Sequence, residues 1–371
     1  MIYLDYQATT PLAPEAKAAM TPWLDQFANP HSPNRWGREA AAAIEIARDQ
    51  VAGAIGLPGT VAFTGSATEA LNWALKGTID LAPPARTRIV TIATEHAAVL
   101  DTCEWLEGHG SEVVRLPVGV DGLVDLAQLN AALDERVAIV AAMLVNNEIG
   151  VIQPIAAIAA ATHRVGATML CDAVQGLGRV PIPAGPDLIA VSAHKVHGPK
   201  GIGALWIGDG VTAPAALLHG GGQERGLRSG TLSPMLCAGF GAAAKLAAAS
   251  REQDTAHVGR LWTVALDALG PGWIVNGSID RRYHGNLNIR RDGVDATRLL
   301  ADLRDIAFSL GSACASGSGR PSHVLRALGL SAQQTRASIR LGFGRYTGAD
   351  ELADACRRIA VAAESQQAAA A

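Results

Sequence analysis

Short runs of apolar and β-branched residues alternate with longer stretches of helical periodicity between about residue 50 and residue 210. Apolar runs of this kind predict buried strands. The predicted strands are Val61–Thr64, Arg88–Ile92, Glu112–Leu116, Ala138–Leu144, Thr168–Asp172, Leu188–Ser192 and Gly203–Ile207. Helical patterns fill several of the gaps, at Thr68–Gly77, Ala97–His109 and Ile155–Val165. Because strands that alternate with helices usually pair in parallel, we predict a mainly parallel sheet with helices on both faces.

The last third of the chain has a different pattern. An alanine-rich stretch from Met235 to about Leu269 predicts a long helix, since alanine is the best helix former. Beyond it, strands and helices are mixed, at Asn286–Arg290, Ala296–Ala301, Ser322–Leu328, Ser338–Gly342 and Asp350–Glu364. We therefore expect a large α/β domain over residues 14–250 and a smaller α+β domain formed by residues 1–13 and 251–371.

Composition narrows the class of protein. Hydrophobic residues make up 49% of the 371 positions, yet no apolar run approaches the roughly 20 residues of a membrane span. A net charge of -3 gives no electrostatic case for nucleic acid or an anionic membrane. The five cysteines lie far apart without a CxxC pair, which argues against a disulfide framework or a structural zinc site. The first residues lack the pattern of a signal peptide, so we expect a cytoplasmic globular protein.

The segment from Asp187 to Gly201 carries the strongest chemical signal. Its apolar run ends in Ser192-Ala193-His194-Lys195, which places Lys195 just beyond a predicted strand, at the sheet edge where ligands bind. A lysine partly removed from water has a lowered pKa, which suits Schiff-base chemistry. A solvated loop lysine is the ordinary alternative. Lys200 is a second candidate, but it precedes the next strand and is expected at the opposite edge.

Enzymes that use pyridoxal 5′-phosphate (PLP) pair such a lysine with an acid that faces the pyridinium nitrogen. Asp172 meets this need because it ends another apolar run, and Gln175 beside it could bond a phenolic oxygen. Asn147 follows the predicted strand that ends at Leu144 and adds an amide at the same edge. Together these strand ends supply complementary groups for one ligand.

Two more strand ends carry polar groups. The turn from Thr64 to Asn72 opens a helix, where the amides of Ala67 and Thr68 and the Thr68 hydroxyl suit a phosphate dianion. An ordinary N-cap explains the same residues. His96 also follows a strand, and its imidazole could stack on a cofactor ring and move protons near pH 7. A structural role is the more usual one for a single loop histidine.

Two segments are rich in small residues. Gly220–Thr231 contains two arginines and is either a flexible anion-binding loop or a solvated connector. Ser309–Pro321 surrounds Cys314 with glycine, serine and alanine. Free cysteines are usually buried as small hydrophobic residues, and we expect this of Cys103, Cys171, Cys237 and Cys356. A thiol on a polar loop is instead placed to react.

These motifs together resemble the group I, NifS/IscS-like cysteine desulfurases, PLP-dependent enzymes of the class-V aminotransferase family. The resemblance extends from Tyr3-Leu4-Asp5-Tyr6-Gln7-Ala8-Thr9-Thr10 to Ser338-Ile339-Arg340-Leu341-Gly342-Phe343-Gly344-Arg345. It implies the α/β fold of type I PLP-dependent transferases. It also implies removal of sulfur from L-cysteine to give L-alanine and a persulfide on Cys314, for iron–sulfur cluster assembly or thio-modification.

The resemblance assigns a role to each matching residue. Lys195 would carry PLP as a Schiff base and shuttle protons, Asp172 would face the pyridinium nitrogen, Gln175 would bond the ring oxygen and His96 would stack on the ring. The phosphate would be held by Ala67, Thr68, Ser192 and His194, and by Thr231 from the partner subunit of a homodimer. Asn147 and Arg340 would hold the substrate carboxylate. A sulfur acceptor or iron–sulfur scaffold protein would receive the sulfur.

Other functions stay open at this stage. A selenocysteine lyase, another class-V lyase or an aminotransferase would use much of the same site. A sulfur carrier or regulatory protein could keep the fold without catalysis. The phosphate turn also departs from the family pattern, since Gly65-Ser66 reverses the usual order, and we expect slightly altered contacts there.

Overall fold

The computed structural model describes residues 1–310 and 322–370. Its strands are β1 (Ile2–Tyr3), β2 (Gly59–Thr64), β3 (Arg88–Ile92), β4 (Glu112–Leu116), β5 (Val137–Met143), β6 (Thr168–Asp172), β7 (Leu188–Ser192), β8 (Gly203–Gly208), β9 (Ile274–Val275), β10 (Asn286–Arg290), β11 (Ile306–Ala307), β12 (Ser309–Leu310) and β13 (Ser338–Gly342). Its α-helices are α1 (Pro14–Met20), α2 (Arg35–Ile55), α3 (Ala67–Leu81), α4 (Ala97–Glu107), α5 (Leu126–Ala132), α6 (Ile155–Arg164), α7 (Pro234–Leu269), α8 (Ala296–Asp302), α9 (His323–Ala327), α10 (Ala332–Arg336) and α11 (Ala349–Ala370).

Seven strands form the central sheet, in the order β2-β8-β7-β6-β5-β3-β4. The pairs from β7 to β4 are parallel, whereas β8 is antiparallel to both of its neighbours. The predicted α/β fold with a mainly parallel sheet is therefore confirmed.

The antiparallel strand β8 corrects one expectation. Gly203 at its amino end pairs with Ser192 at the carboxyl end of β7, so both ends lie at the same edge of the sheet. The prediction that Lys200 lies at the opposite edge is therefore wrong. Lys200 is set apart from Lys195 by its exposure to solvent and not by the edge it occupies.

Both faces of the central sheet are buried. Along β7, Ile189 and Val191 belong to one core cluster, which also contains Phe240 of α7. Leu188 and Ala190 face the other side, in a cluster with residues of α3 and α4. Because successive side chains of a strand point to opposite faces, a strand buried on both sides has the uninterrupted apolar run seen in the sequence.

A second core lies beyond the central sheet. The antiparallel sheet β12-β13-β10-β9 and the parallel pair β1-β11 pack with α8, α11 and the last turns of α7. Leu4 joins this core, which brings the first residues of the chain to its last third. Helix α7 runs without a break through the predicted boundary at residue 250. The exact division of the chain into two domains stays a prediction.

Among the described residues, none of the α-helices is both long enough and apolar enough to cross a bilayer. The four cysteines of this part of the chain, Cys103, Cys171, Cys237 and Cys356, are unpaired and buried, as expected for small hydrophobic residues.

Candidate active site

The carboxyl ends of β3, β5, β6 and β7 meet at one edge of the sheet, next to the first turn of α3. A pocket of about 210 Å³ opens there. The predicted site residues that line it are Ala67, Thr68, His96, Asn147, Asp172, Gln175, Ser192, His194 and Lys195. Parallel strands place their carboxyl ends side by side, so groups distant in the sequence come together.

Lys195 ends a short turn that follows β7, and its side chain reaches back into the pocket. Its Nζ donates hydrogen bonds to the backbone oxygens of Gln7 and Ala8, both at 2.7 Å. Burial and the positive charges of Arg179 and Arg340 lower the pKa of Lys195 to about 8. Roughly a tenth of such amines are neutral at pH 7, far more than for an ordinary lysine. Lys195 can therefore act as a nucleophile.

Asp172 is the last residue of β6 and is buried. Its Oδ1 accepts a hydrogen bond from the Val174 amide at 2.9 Å. Burial raises the pKa of this carboxyl, while the Val174 amide and the charges of His96 and Lys195 act in the opposite direction. A buried carboxylate of this kind favours a cationic ligand group, because a positive partner offsets its loss of water.

The first turn of α3 provides donors for an anion. Ser66 is the N-cap, and its hydroxyl accepts a hydrogen bond from the Glu69 amide at 3.2 Å. Among the described residues, the amides of Ala67 and Thr68 have no acceptor, as is usual for the first residues of a helix. The carboxylate of Glu69 forms an ion pair with Arg228, with Nε and Oε1 2.6 Å apart. Because its charge is paired, Glu69 repels an anion at this turn less than a free carboxylate would. The N-cap and the anion site are therefore compatible.

The two histidines of the pocket differ in their partners. His96 is the N-cap of α4, and its Nδ1 accepts a hydrogen bond from the Ala98 amide at 3.0 Å. A nitrogen that accepts carries no proton, so the neutral ring carries its proton on Nε2. His194 lies within 3.2 Å of the Thr9 hydroxyl. Burial and the charge of Lys195 lower the pKa of His194 to about 4, so this ring is neutral near pH 7.

Arg340 on β13 lies outside the lining of the pocket but touches its wall. Its guanidinium donates to the backbone oxygen of Asn147 at 3.0 Å and to Asp5 at 2.7 Å. The hydroxyl of Ser309 accepts a third hydrogen bond, at 2.8 Å. Within the described residues, Nε of Arg340 has no partner. A substrate carboxylate at this guanidinium would compete with Asp5.

Two predicted site residues are not found among the described residues that line the pocket. Thr231 is exposed and does not line the pocket of its own chain. Cys314 lies outside the described residues. The residues that flank this segment are held beside the pocket, since Ser309 bonds Asp5 and Arg340, and His323 contacts the backbone oxygen of Glu95 at 2.9 Å.

Three residues near the pocket have no assigned role in the sequence analysis. The backbone oxygen of Gln7 accepts from both Lys195 and Gln175. Glu95 is fully buried, accepts from the Met143 amide at 2.8 Å, and has a pKa well above its ordinary range because of this burial. Arg179 donates to the side chain of Gln175. Glu95 directly precedes His96, and Arg179 lies four positions after Gln175. These positions in the sequence do not by themselves predict that Glu95 contacts Met143 or that Arg179 contacts Gln175.

The sequence is similar to those of known enzymes along most of its length. The family model for class-V aminotransferases matches residues 2–354. Cysteine desulfurase IscS of Rickettsia bellii is 42% identical over 361 residues, which are 95% of this chain and 88% of that protein. The same enzyme of Rickettsia akari is 41% identical over the same shares of the two chains.

The fold is also similar to those of solved structures over nearly the whole chain. A NifS-like protein superposes with a TM-score of 0.91 at 30% identity, covering 98% of this chain and 99% of its own. The NifS-like protein of Rickettsia africae has a TM-score of 0.87 at 29% identity, with 96% and 98% covered. SspA in complex with cysteine has a TM-score of 0.84 at 32% identity, with 94% and 100% covered.

Proposed function

We propose that this chain, which belongs to the class-V aminotransferase family, is a PLP-dependent L-cysteine desulfurase. The family predicted from the motifs is confirmed by the match over residues 2–354 and by relatives that are 42% and 41% identical. One observation carries the proposal for this chain: a lysine of lowered pKa, a buried aspartate and the first two residues of a helix line the same pocket.

These groups fit PLP, on which enzymes of this family depend. Lys195 would hold the cofactor, and Asp172 would face its ring nitrogen. The phosphate would lie at the amides of Ala67 and Thr68, with Ser192 and His194 beside it. The amide of Gln175 would donate to the ring oxygen, and His96 would lie against the ring. When bound, PLP supplies an electron sink for the carbon next to the amino group of the substrate.

The protein residues would move the protons and orient the substrate. At a pKa of about 8, Nζ of Lys195 can accept a proton from the substrate carbon and return it. Arg340 would bind the substrate carboxylate with Asn147, since a planar guanidinium matches a carboxylate in two parallel hydrogen bonds.

Cys314 would be the nucleophile. Its thiolate would attack the sulfur of the bound cysteine, so that an S–S bond forms as the Cβ–S bond of the substrate breaks. The electron pair of the broken bond stays with Cβ, which is protonated to the methyl group of alanine. Ser309 and His323, which lie on either side of residues 311–321 in the sequence, both make contacts beside the pocket, and this supports the proposed role.

The proposal extends to the assembly. Thr231 is exposed and away from its own pocket, which supports a homodimer in which it reaches the phosphate of the partner's site. A sulfur acceptor or an iron–sulfur scaffold protein would then take the persulfide sulfur in the cytoplasm.

The test measures alanine and sulfide released from L-cysteine with a reductant present. We expect equal amounts from the unaltered protein and none from Cys314→Ala, with the visible band of bound PLP retained in both. Cys356→Ala is the matched control, since the thiol of Cys356 is buried in the second core. This variant should stay active. Turnover by Cys314→Ala would contradict the proposal. Preference for selenocysteine, or amino transfer to a keto acid, would support the alternative class-V activities.

A further inference from the structure

Arg179 lies behind the pocket without lining it. It faces a neighbouring cavity of about 30 Å³, which Lys195 also lines. Its Nη2 donates to the backbone oxygen of Lys195 at 2.7 Å, and its guanidinium lies 5.4 Å from the ring centre of Tyr283. Its Nη1 donates to Oε1 of Gln175. Among the described residues, no carboxylate forms an ion pair with Arg179.

The turn that carries Arg179 explains this placement. Gly178 has a φ of +70°, a conformation that favours glycine. A Cβ at this position would lie 2.5 Å from the side chain of Ala247. The left-handed turn and the close packing on α7 thus direct the next residue, Arg179, back toward Gln175 and Lys195.

The partners of Gln175 determine how its amide is oriented. Arg179 can only donate, so the atom that faces it must be the oxygen. The backbone oxygen of Gln7 can only accept, so the atom facing it at 2.9 Å must be Nε2. Both contacts give the same orientation. In the part of the chain that the structure describes, the second hydrogen of Nε2 has no acceptor and can bond a ligand in the pocket.

We propose that Arg179 is a positioning residue, which holds the side-chain amide of Gln175 with its Nε2 donor toward the cofactor and fixes the backbone of Lys195. Without Arg179, the backbone oxygen of Gln7 alone would orient the amide. A rotated amide, whose oxygen would repel the ring oxygen of PLP, would then cost less free energy than in the unaltered protein. This inference rests on the proposed PLP chemistry at Lys195.

Arg179 has a second, electrostatic effect on the same lysine. The charged groups that act on Lys195 are Arg179 and Arg340, which favour the neutral amine, and Asp5 and Asp172, which favour the charged one. Removal of the guanidinium leaves the two carboxylates opposed by Arg340 alone. The pKa of Nζ of Lys195 would then be higher than in the unaltered protein.

The experiment is a pH titration of the visible absorption band of the purified PLP-bound protein. We expect Arg179→Met to move the midpoint upward by on the order of one pH unit. Arg179→Lys should remove the part of this midpoint shift that is due to the lost charge. It should keep the part that is due to the lost guanidinium, because an ammonium group is not planar and cannot make the same pair of contacts. Arg345→Met is the control, since Arg345 lines the same cavity but pairs with Asp254; its midpoint should stay unchanged.

A double-mutant cycle tests whether Arg179 acts through Gln175. If it does, the midpoint shifts of Arg179→Met and Gln175→Ala should add to more than the shift of the double variant. Strict additivity, or a midpoint of Arg179→Met within about 0.2 pH units of the unaltered protein, would overturn the inference. If Arg179→Met does not fold, the same cycle with Arg179→Lys decides. A failure of the unaltered protein to bind PLP through Lys195 would instead overturn the proposed function.

Discussion

Glu224→Gln is expected to destabilise the protein strongly and to loosen the segment Gly220–Thr231. The side chain of Glu224 is only 2% exposed and bonds Arg48 at 2.7 Å. It also accepts from the second nitrogen of Arg48 and from the amide of Phe63, both at 2.8 Å. These three contacts join the segment to α2 and to the edge strand β2. Gly220–Thr231 is thus anchored, which neither of the two sequence interpretations specified.

The size of the effect follows from these contacts. Glutamine keeps one acceptor oxygen, so at least one of the three donors loses its partner, at a cost of about 1–3 kcal/mol. Breaking one side of a buried ion pair costs about 3–5 kcal/mol in all. Arg48 keeps Glu45 as a second partner at 3.0 Å, which places the expected loss near the lower end, about 3 kcal/mol. Glu224 and Arg225 also have positive φ values of 49° and 59°, a strained backbone that the lost contacts would no longer hold.

The assay is urea unfolding followed by circular dichroism at several protein concentrations, so that dissociation of a dimer is separated from unfolding. Glu45→Gln is the matched control, because Glu45 binds the same arginine but is 58% exposed. It should cost less than about 1 kcal/mol. Equal losses in the two variants would refute the argument from burial. Because the same segment carries Thr231, Glu224→Gln should also release PLP faster during dialysis.

Three further predictions concern the pocket. Lys195→Ala should abolish the visible band of bound PLP while Lys200→Ala leaves it unchanged, and absorption spectra of the two purified variants decide this. Arg340→Lys should raise KM for L-cysteine at least about tenfold with little change in kcat, because the proposed bidentate contact with the substrate carboxylate would be lost; steady-state kinetics with an unchanged KM would exclude Arg340 as the carboxylate site. Glu95→Gln mimics the protonated carboxyl and keeps the oxygen that accepts from Met143. Since burial raises the pKa of Glu95 in the folded state above its ordinary 4.5, the stability that its protonated form contributes is lost as the pH rises through that raised value. The variant should gain stability relative to the unaltered protein as the pH rises above 4.5, and a constant difference across the pH range would contradict this.

Much of the pocket was predictable because its signals are local. Asp172, Ser192 and Lys195 each follow an apolar run, and the end of such a run is visible without knowledge of the fold. Once parallel pairing is inferred, the convergence of these groups follows from the geometry of the sheet. The roles proposed for Thr231 and Cys314 depend on the family resemblance, since no local pattern assigns a partner subunit or a sulfur chemistry.

Contacts between residues distant in the sequence were not predictable. Arg179 lies beside Gln175 and Lys195 because Gly178 turns the chain against α7. Glu224, which anchors Gly220–Thr231, meets Arg48 across 176 positions. The wrong prediction for Lys200 has the same cause. Lys200 precedes β8, and the edge at which β8 begins is known only once its antiparallel pairing with β7 is known.

The sequence by itself determined the strands of the central sheet, the residues at their ends and the family, because apolar periodicity and short motifs are properties of neighbouring residues. Only the tertiary structure decided the direction of β8, the orientation of the Gln175 amide and the lowered pKa of Lys195. These depend on burial and on charges brought together from distant parts of the chain, and water is excluded from such groups only after the chain has folded.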